Sequence, residues 1–169
     1  IAFECKKVEN GMFYDSLKTY NKNGVLLYEG NRINGKNDGR IVWYDNDGRK
    51  TDECNFILGK EDGESIGFYP ESGKIRTKSI FKLGTKISRT DYHENGKISF
   101  ETNYNEDSER EGWSSKYDNA GNLMYKLLCY NGIIIGYAYA DNTGKLTTKM
   151  LEAGTNKLVA YYPNGKKSM

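Results

Sequence analysis

The sequence predicts an all-β protein, an elongated single-layer antiparallel β-meander built from hairpin repeats of about 23–25 residues. Three observations predict it. A tyrosine is followed four residues later by a glycine again and again: Tyr20/Gly24, Tyr44/Gly48, Tyr69/Gly73, Tyr92/Gly96 and Tyr117/Gly121, with Ala140/Gly144 and Tyr161/Gly165 closing the series. The stretches between these glycines are short runs of five to nine residues bounded by Asn, Asp and Gly, the pattern of strands joined by tight turns. No stretch shows a helical period, so nothing supplies a second layer. An internal period of this length marks stacked hairpins rather than one closed globule.

Each repeat divides into two strands and two turns. The Gly24 repeat runs through VLLYEGNRI to a loop at residues 34–39, then through RIVWY to the turn Asp45-Asn46-Asp47-Gly48. Asn and Asp suit the start of that turn, because their side chains bond the backbone two residues on. The glycine that follows is expected at positive φ, after a type I turn that forms a bulge. The second turn, which often carries two glycines (35 and 39, 59 and 63, 132 and 136), is expected to be the looser and more variable one. Residues 1–10 read as an irregular lead-in, and residues 11–169 as the repeat domain, with about six repeats, partial ends and about thirteen strands. Pro70 and Pro163 each follow a tyrosine inside a turn. The fourth and sixth repeats depart most: Asp107 replaces the second glycine of the fourth, and Ala140 replaces the tyrosine of the sixth.

Alternation along the first strand of each repeat places offsets +2, +4, +6 and +8 from the turn glycine on one face. Offset +2 holds Leu26, Lys50, Ile75, Ile98, Leu123 and Leu146, and offset +6 is mostly small, with Gly30, Cys54, Ser79 and Thr102. Trp43 and Phe68 each lie five residues before a turn glycine, so they are expected on the same face and near each other.

Composition narrows the function classes. Leu, Ile, Val and Phe together make just under a fifth of the 169 residues, while 14 Tyr and 2 Trp carry much of the apolar surface. Tyrosine suits a half-wet site, with its ring packed and its hydroxyl in water. The longest unbroken aliphatic runs, residues 25–27 and 133–135, fall far short of the roughly 18 needed to span a membrane as a helix. The formal charge of +2 is spread through the chain, with an acidic bias in 101–118 and lysines at 145, 149, 157, 166 and 167 that read as solvated loops. No nucleic-acid footprint results. Cys5, Cys54 and Cys129 show no CxxC spacing, and Cys54 and Cys129 read as small packing residues of strands. The chain begins at Ile1 rather than Met, which removal of an upstream segment, a secretory leader among the options, would explain. The compartment stays open between cytoplasmic and exported.

Several residues resemble a known repeat. Tyr-x-x-x-Gly-Lys-hydrophobic, then Asn-Gly-Lys-x-Asp-Gly, then an aromatic-rich strand is similar to the bacterial variant of the MORN repeat, best at residues 34–39, 59–63 and 92–98. The resemblance covers about residues 10–169. It implies a single-layer antiparallel sheet of hairpins and binding rather than catalysis. It further implies a protein partner, a toxin bound by an antitoxin among the cases, or contact with membrane lipid. The aromatics together with the lysines at 145–167 give the alternative of a lipid- or glycan-contacting surface or exported protein. No site residue carries over by position.

Chemistry-bearing motifs are sparse. His93, the sole histidine, lies in a turn and is expected to be exposed, with no nucleophile beside it in sequence. Neither GxxxxGK[ST] nor GxGxxG occurs. The turn at 45–48 has the flavour of a calcium loop but lacks the trailing Glu. Paired carboxylates at 61–62 and 106–107 have no apolar pocket to separate their pKa values. The expectation is therefore a protein with no catalytic residue, cofactor or metal, binding a partner through an aromatic-lined sheet face. The candidates for that face are Tyr20, Trp43, Tyr44, Phe68, Tyr69, Tyr92 and Tyr117, with Trp43 and Phe68 as anchors and packing of the rings on each other as the alternative.

Overall fold

The computed structural model describes residues 2–140, 145–151 and 166, and the side chains of all of these except 2–5 and 140. The chain is all-β. The strands are β1 (Ala2–Glu9), β2 (Met12–Tyr20), β3 (Leu26–Ile33), β4 (Lys36–Tyr44), β5 (Lys50–Ile57), β6 (Lys60–Phe68), β7 (Ile75–Lys82), β8 (Thr85–Tyr92), β9 (Ile98–Tyr104), β10 (Arg110–Tyr117), β11 (Leu123–Tyr130), β12 (Ile133–Ala140) and β13 (Leu146–Met150). They form a single-layer meander in strict sequence order, and the sheet does not close. Two compact units divide it, residues 1–86 and 87–169. Residues 2–9, expected as an irregular lead-in, are instead a full strand in register with β2. Alternation is blurred there by consecutive charges, but the Asn10-Gly11 turn that follows holds the hairpin together, with φ of 50° and 74°.

The turn glycines behave as the repeat requires. Gly24, Gly48, Gly73, Gly96 and Gly121 have φ between 66° and 84°; Gly144 and the C-terminal repeat lie outside the described residues. In the first of these turns Gly24 N–H donates to the Asn21 carbonyl at 3.0 Å, and Asn21 N–H donates to the Val25 carbonyl at 2.9 Å. The Asn21 side chain closes the same turn by accepting from the N–H groups of Asn23 and Val25. Asp45 does this at 45–49, accepting from Asp47 and Arg49 N–H at 2.9 Å, so turn chemistry alone accounts for its carboxylate.

The second turn reverses the expectation. It is the tighter and more uniform of the two: two residues, both left-handed, as in a type I′ hairpin. It occurs at Asn10-Gly11, Asn34-Gly35, Leu58-Gly59, Leu83-Gly84 and Asn131-Gly132, where the first residue has φ of 45–50°. The other glycine of the pair, as at Gly39 and Gly63, belongs to a bulge in the strand that follows, with φ of 75° and 81°. The fourth repeat departs as expected, with a five-residue connection between β9 and β10 in which Ser108 takes the left-handed position at φ 60°.

Register decides the faces. In the first unit Gly30, Ile41, Cys54, Ser65 and Ser79 lie opposite one another strand by strand and share a face. Lys18, Glu29, Val42, Glu53, Ile66 and Lys78 do the same on the other. Ile41 and Val42 are neighbours on opposite faces, yet both are buried, at 0% and 1% exposure. Offset +6 is the buried row: Cys54, Ser79, Thr102 and Leu127 are all buried, so small residues there let long neighbours close over the sheet. In the second unit Thr102 and Ser114 join hydroxyls at 2.6 Å within that row, and Leu127, Cys129 and Tyr137 form its apolar core.

Offset +2 does not share that face. After each turn the ladder slips by one residue, pairing Tyr20 with Leu26, Tyr44 with Lys50, Phe68 with Ile75, Tyr92 with Ile98 and Tyr117 with Leu123. The extra residue sits at offset +3, and a bulge of this kind moves offset +2 to the opposite face. A side chain on Gly30 tests the packing of the buried row, because a Cβ there would overlap Ile41 Cδ1, which has no solvent to move into. Gly30→Ala should lower stability by about 1–3 kcal/mol, read as a lower urea midpoint; an unchanged midpoint would show that the row is loosely packed.

Candidate functional site

The structure keeps five of the seven aromatic candidates at one strand position and sets Trp43 and Tyr69 apart from them. Tyr20, Tyr44 and Phe68 are the last strand residues before a turn in the first unit, and Tyr92 and Tyr117 hold the same position in the second. Tyr69 drops out of this row. Its turn is one residue longer, so Tyr69 opens the turn, with Gly73 N–H donating to its carbonyl at 2.8 Å, and Phe68 takes the strand position. Trp43 and Phe68 consequently face opposite ways. Trp43 and Gly67 both lie opposite Asp52, whereas Phe68 falls one residue later. Equal sequence offset misled here because the two turns differ in length.

All seven side chains are half-buried. Trp43 packs edge-on between Tyr28 and Phe56, with ring centroids 5.8 and 6.3 Å away. Contacts of this geometry add about 0.5–1.5 kcal/mol beyond area burial. On the other face Tyr44 donates its hydroxyl to Glu29 Oε1 at 2.7 Å. Burial first, and this bond second, push the Tyr44 phenol up to about 12. The same bond is the main reason the Glu29 carboxyl lies below its ordinary value. Tyr117 repeats the arrangement with Glu101 Oε1 at 2.6 Å in the second unit. Phe68 carries the Lys50 ammonium 4.4 Å from its ring centre.

Next to Tyr44 lies a charge cluster. Arg40 grips Glu53 through Nε and Nη2, both at 2.8 Å, and Lys50 reaches the same carboxylate at 3.0 Å. Arg40 foremost, then Lys50, hold the Glu53 carboxyl down to about 2, against the opposing effect of burial. His93 is half-buried rather than exposed. It stands where other turns carry Asn or Asp, and its longer side chain reaches across to the next repeat, with Nε2 3.1 Å from the Tyr117 carbonyl. Cys54 and Cys129 are free and buried, and burial pushes the Cys54 thiol up to about 11. Among the described residues no three His, Cys, Asp or Glu side chains are grouped to hold a metal ion.

The surface that sequence reasoning missed is the edge formed by the two-residue turns. Leu58 and Leu83 occupy left-handed positions and are 53% and 52% exposed. Val8, Met12, Phe13 and Ile57 are exposed beside the same turns of the first unit, and Tyr130 and Ile133 beside the corresponding turn of the second. Lys36 and Lys60 pass beneath the turns that follow them, their stems against Gly59 and Gly84. A signal was present in the sequence: where 10, 34 and 131 carry Asn before glycine, 58 and 83 carry Leu. A bulky residue in the left-handed region costs about 1–2 kcal/mol, and these two recover little of it by burial.

The Glu53 cluster gives a pH prediction. A carboxyl depressed to about 2 contributes stability above its unfolded pKa of about 4.3, and that contribution is lost as pH falls toward 2. Glu53→Gln should therefore flatten the stability profile between about pH 4.3 and 2, measured by denaturant unfolding at stepped pH; an unaltered acid limb would remove the cluster from the stability account.

Comparison with known proteins agrees with this architecture over one repeat. Residues 88–106, which run from β8 through the Gly96 turn and β9, match the family model described as MORN repeat variant. No curated protein matches the chain. Over that stretch the chain is similar to the MORN repeat variant.

Proposed function

We propose that this protein is a non-catalytic repeat scaffold that binds another protein through the edge formed by its two-residue turns. The observation that carries this reading is the pair Leu58 and Leu83. Each is a large apolar side chain in a backbone conformation that favours Asn or Gly, and each is more than half exposed. Strain with no return in burial is characteristic of a site kept for contact. Val8, Met12, Phe13 and Ile57 are further exposed apolar side chains beside the two-residue turns of the first unit, and exposed apolar surface is where proteins dock. The aromatic candidates on the sheet faces act chiefly within the fold: Trp43, Tyr44, Phe68 and Tyr117 all have partners inside the sheet. A toxin held by an antitoxin- or immunity-type scaffold is the finer form of this reading, and it is supported by the repeat resemblance alone.

Lys36, Lys60 and Lys82 are exposed along the same edge and favour a second reading, contact with an anionic lipid surface.

The test is the double variant Leu58→Asn/Leu83→Asn. Relief of left-handed strain should raise its melting temperature by the equivalent of about 1 kcal/mol or more. Its capture of partner protein from extracts of the source cells, read by quantitative mass spectrometry, should fall about tenfold or more. Unchanged capture would overturn the turn-edge reading. Loss of binding to phosphatidylserine-containing vesicles, with protein capture unaffected, would replace the protein partner with a membrane.

A further inference from the structure

A second surface lies within residues 87–169 and is independent of the turn edge. Strands β8 to β11 form a trough of about 420 Å³ on one face of the sheet. Its floor is made of small hydroxyl side chains, Ser88, Thr90 and Ser115. Register puts these on one face: Ser88 lies opposite Asn103, Thr90 opposite Glu101, and Ser115 opposite both Glu101 and Lys126. One wall is Trp113, 37% exposed, two residues before Ser115 on the same strand. The tryptophan stands where β10 leaves the β9 ladder between Glu111 and Ser115, so no strand residue sits directly across from it on that side.

The chemistry of the lining selects a ligand class. Glu101 is fixed in position because its Oε1 accepts the Tyr117 hydroxyl at 2.6 Å. Asn103 offers both a donor and an acceptor, and Lys126 a donor. Arg89 also borders the trough, but its Nε is turned to Asp91 at 2.8 Å, which neutralises it locally. The charges facing the trough thus balance, Glu101 against Lys126. A phosphate-bearing ligand would meet the Glu101 carboxylate, and an apolar side chain would meet hydroxyls and amides in place of a greasy wall. Vicinal hydroxyl groups on a ring with an apolar C–H face match the set: the hydroxyls exchange hydrogen bonds with Glu101, Asn103 and Lys126 while the C–H face lies on the Trp113 indole. We infer that this trough is a binding site for an uncharged pyranose sugar, seated on Trp113.

The test uses the full chain labelled with ¹⁵N, following the indole N–H signals of Trp43 and Trp113 during titration with the methyl glycosides of glucose, galactose, mannose and N-acetylglucosamine. At least one glycoside should shift the Trp113 signal to saturation at millimolar concentrations and leave Trp43 unmoved. Asn103 is exposed, so Asn103→Ala should keep the fold and weaken that binding about tenfold. Trp113→Ala should abolish saturation transfer to the sugar. No response from Trp113 to any of the four glycosides would overturn the proposal. So would equal affinity in Asn103→Ala, or a response to inorganic phosphate in place of sugar.

Discussion

The structure depends on how one hairpin turn is hung from the hairpin before it. A two-residue turn leaves backbone N–H groups pointing outward, and a single-layer sheet has no second layer to receive them. Here the previous repeat receives them. Leu58 N–H donates to the Asp38 carboxylate at 3.0 Å, and Gly59 N–H to the Asn37 carbonyl at 2.7 Å. One repeat later Leu83 N–H donates to Asp62 at 2.9 Å and Gly84 N–H to the Glu61 carbonyl at 2.7 Å. In the second unit Asn131 and Gly132 do the same with Glu111 and the Arg110 carbonyl. In these three turns the side-chain acceptor is the acidic residue just before a left-handed glycine: Asp38-Gly39, Asp62-Gly63 and Glu111-Gly112. At the Asn34-Gly35 turn the Asn34 N–H donates instead to the Phe13 carbonyl at 2.8 Å. The bulge at that glycine turns the strand aside and brings the carboxylate to the neighbouring turn. Hydrogen bonds to a charged acceptor contribute about 1.5–3 kcal/mol each, enough to hold Leu58 and Leu83 in a conformation their side chains disfavour.

Such links matter because the apolar core is small. Among the described residues the buried hydrophobic side chains are Ile41, Val42, Cys54, Leu127, Cys129, Tyr137 and Ala138. The rest of the holding is done by the ladder itself, by rings lying along each face, and by charged chains such as Arg40, Lys50 and Glu53 that cover Val42. Two bulges per repeat, one after each kind of turn, set which residues face which way. The first brings Lys50 to the charged side opposite Tyr44. Alternation along β4 puts the Tyr44 ring on that side, where its hydroxyl finds Glu29, and leaves Trp43 to the aromatic side with Tyr28 and Phe56.

Glycines made most of this fold legible from sequence, because positive φ is a backbone demand that a side chain seldom meets. Gly24, Gly48 and Gly73 marked the turns, and alternation from offset +4 onward put Gly30, Cys54 and Ser79 on one face without showing that this row is the buried one. A bulge leaves no mark of its own in residue type. The slip at Thr51 or Ser99 was therefore invisible, and with it the true face of Lys50 and Ile98. The extra residue in the turn at 69–74 shifted Phe68 into the tyrosine row and broke the match with Trp43. Asp38 and Asp62 looked like ordinary turn residues of their own loop, since nothing in a sequence says that a carboxylate serves the turn twenty residues later. Leu58 and Leu83 could be recognised only once the two-residue turns were aligned on their glycines.

The most direct test of the turn-to-turn link is amide hydrogen exchange at Leu58 and Leu83 in the native protein and in Asp38→Ala. Both amides lie in exposed turns, yet the link requires both to be protected in the native protein. In Asp38→Ala the Leu58 amide should exchange at least about tenfold faster, the loss of roughly 1.4 kcal/mol of local protection, while the Leu83 amide, bonded to Asp62, keeps its rate. Exchange of the Leu58 amide at the free-peptide rate in the native protein, or identical protection with and without Asp38, would contradict the account.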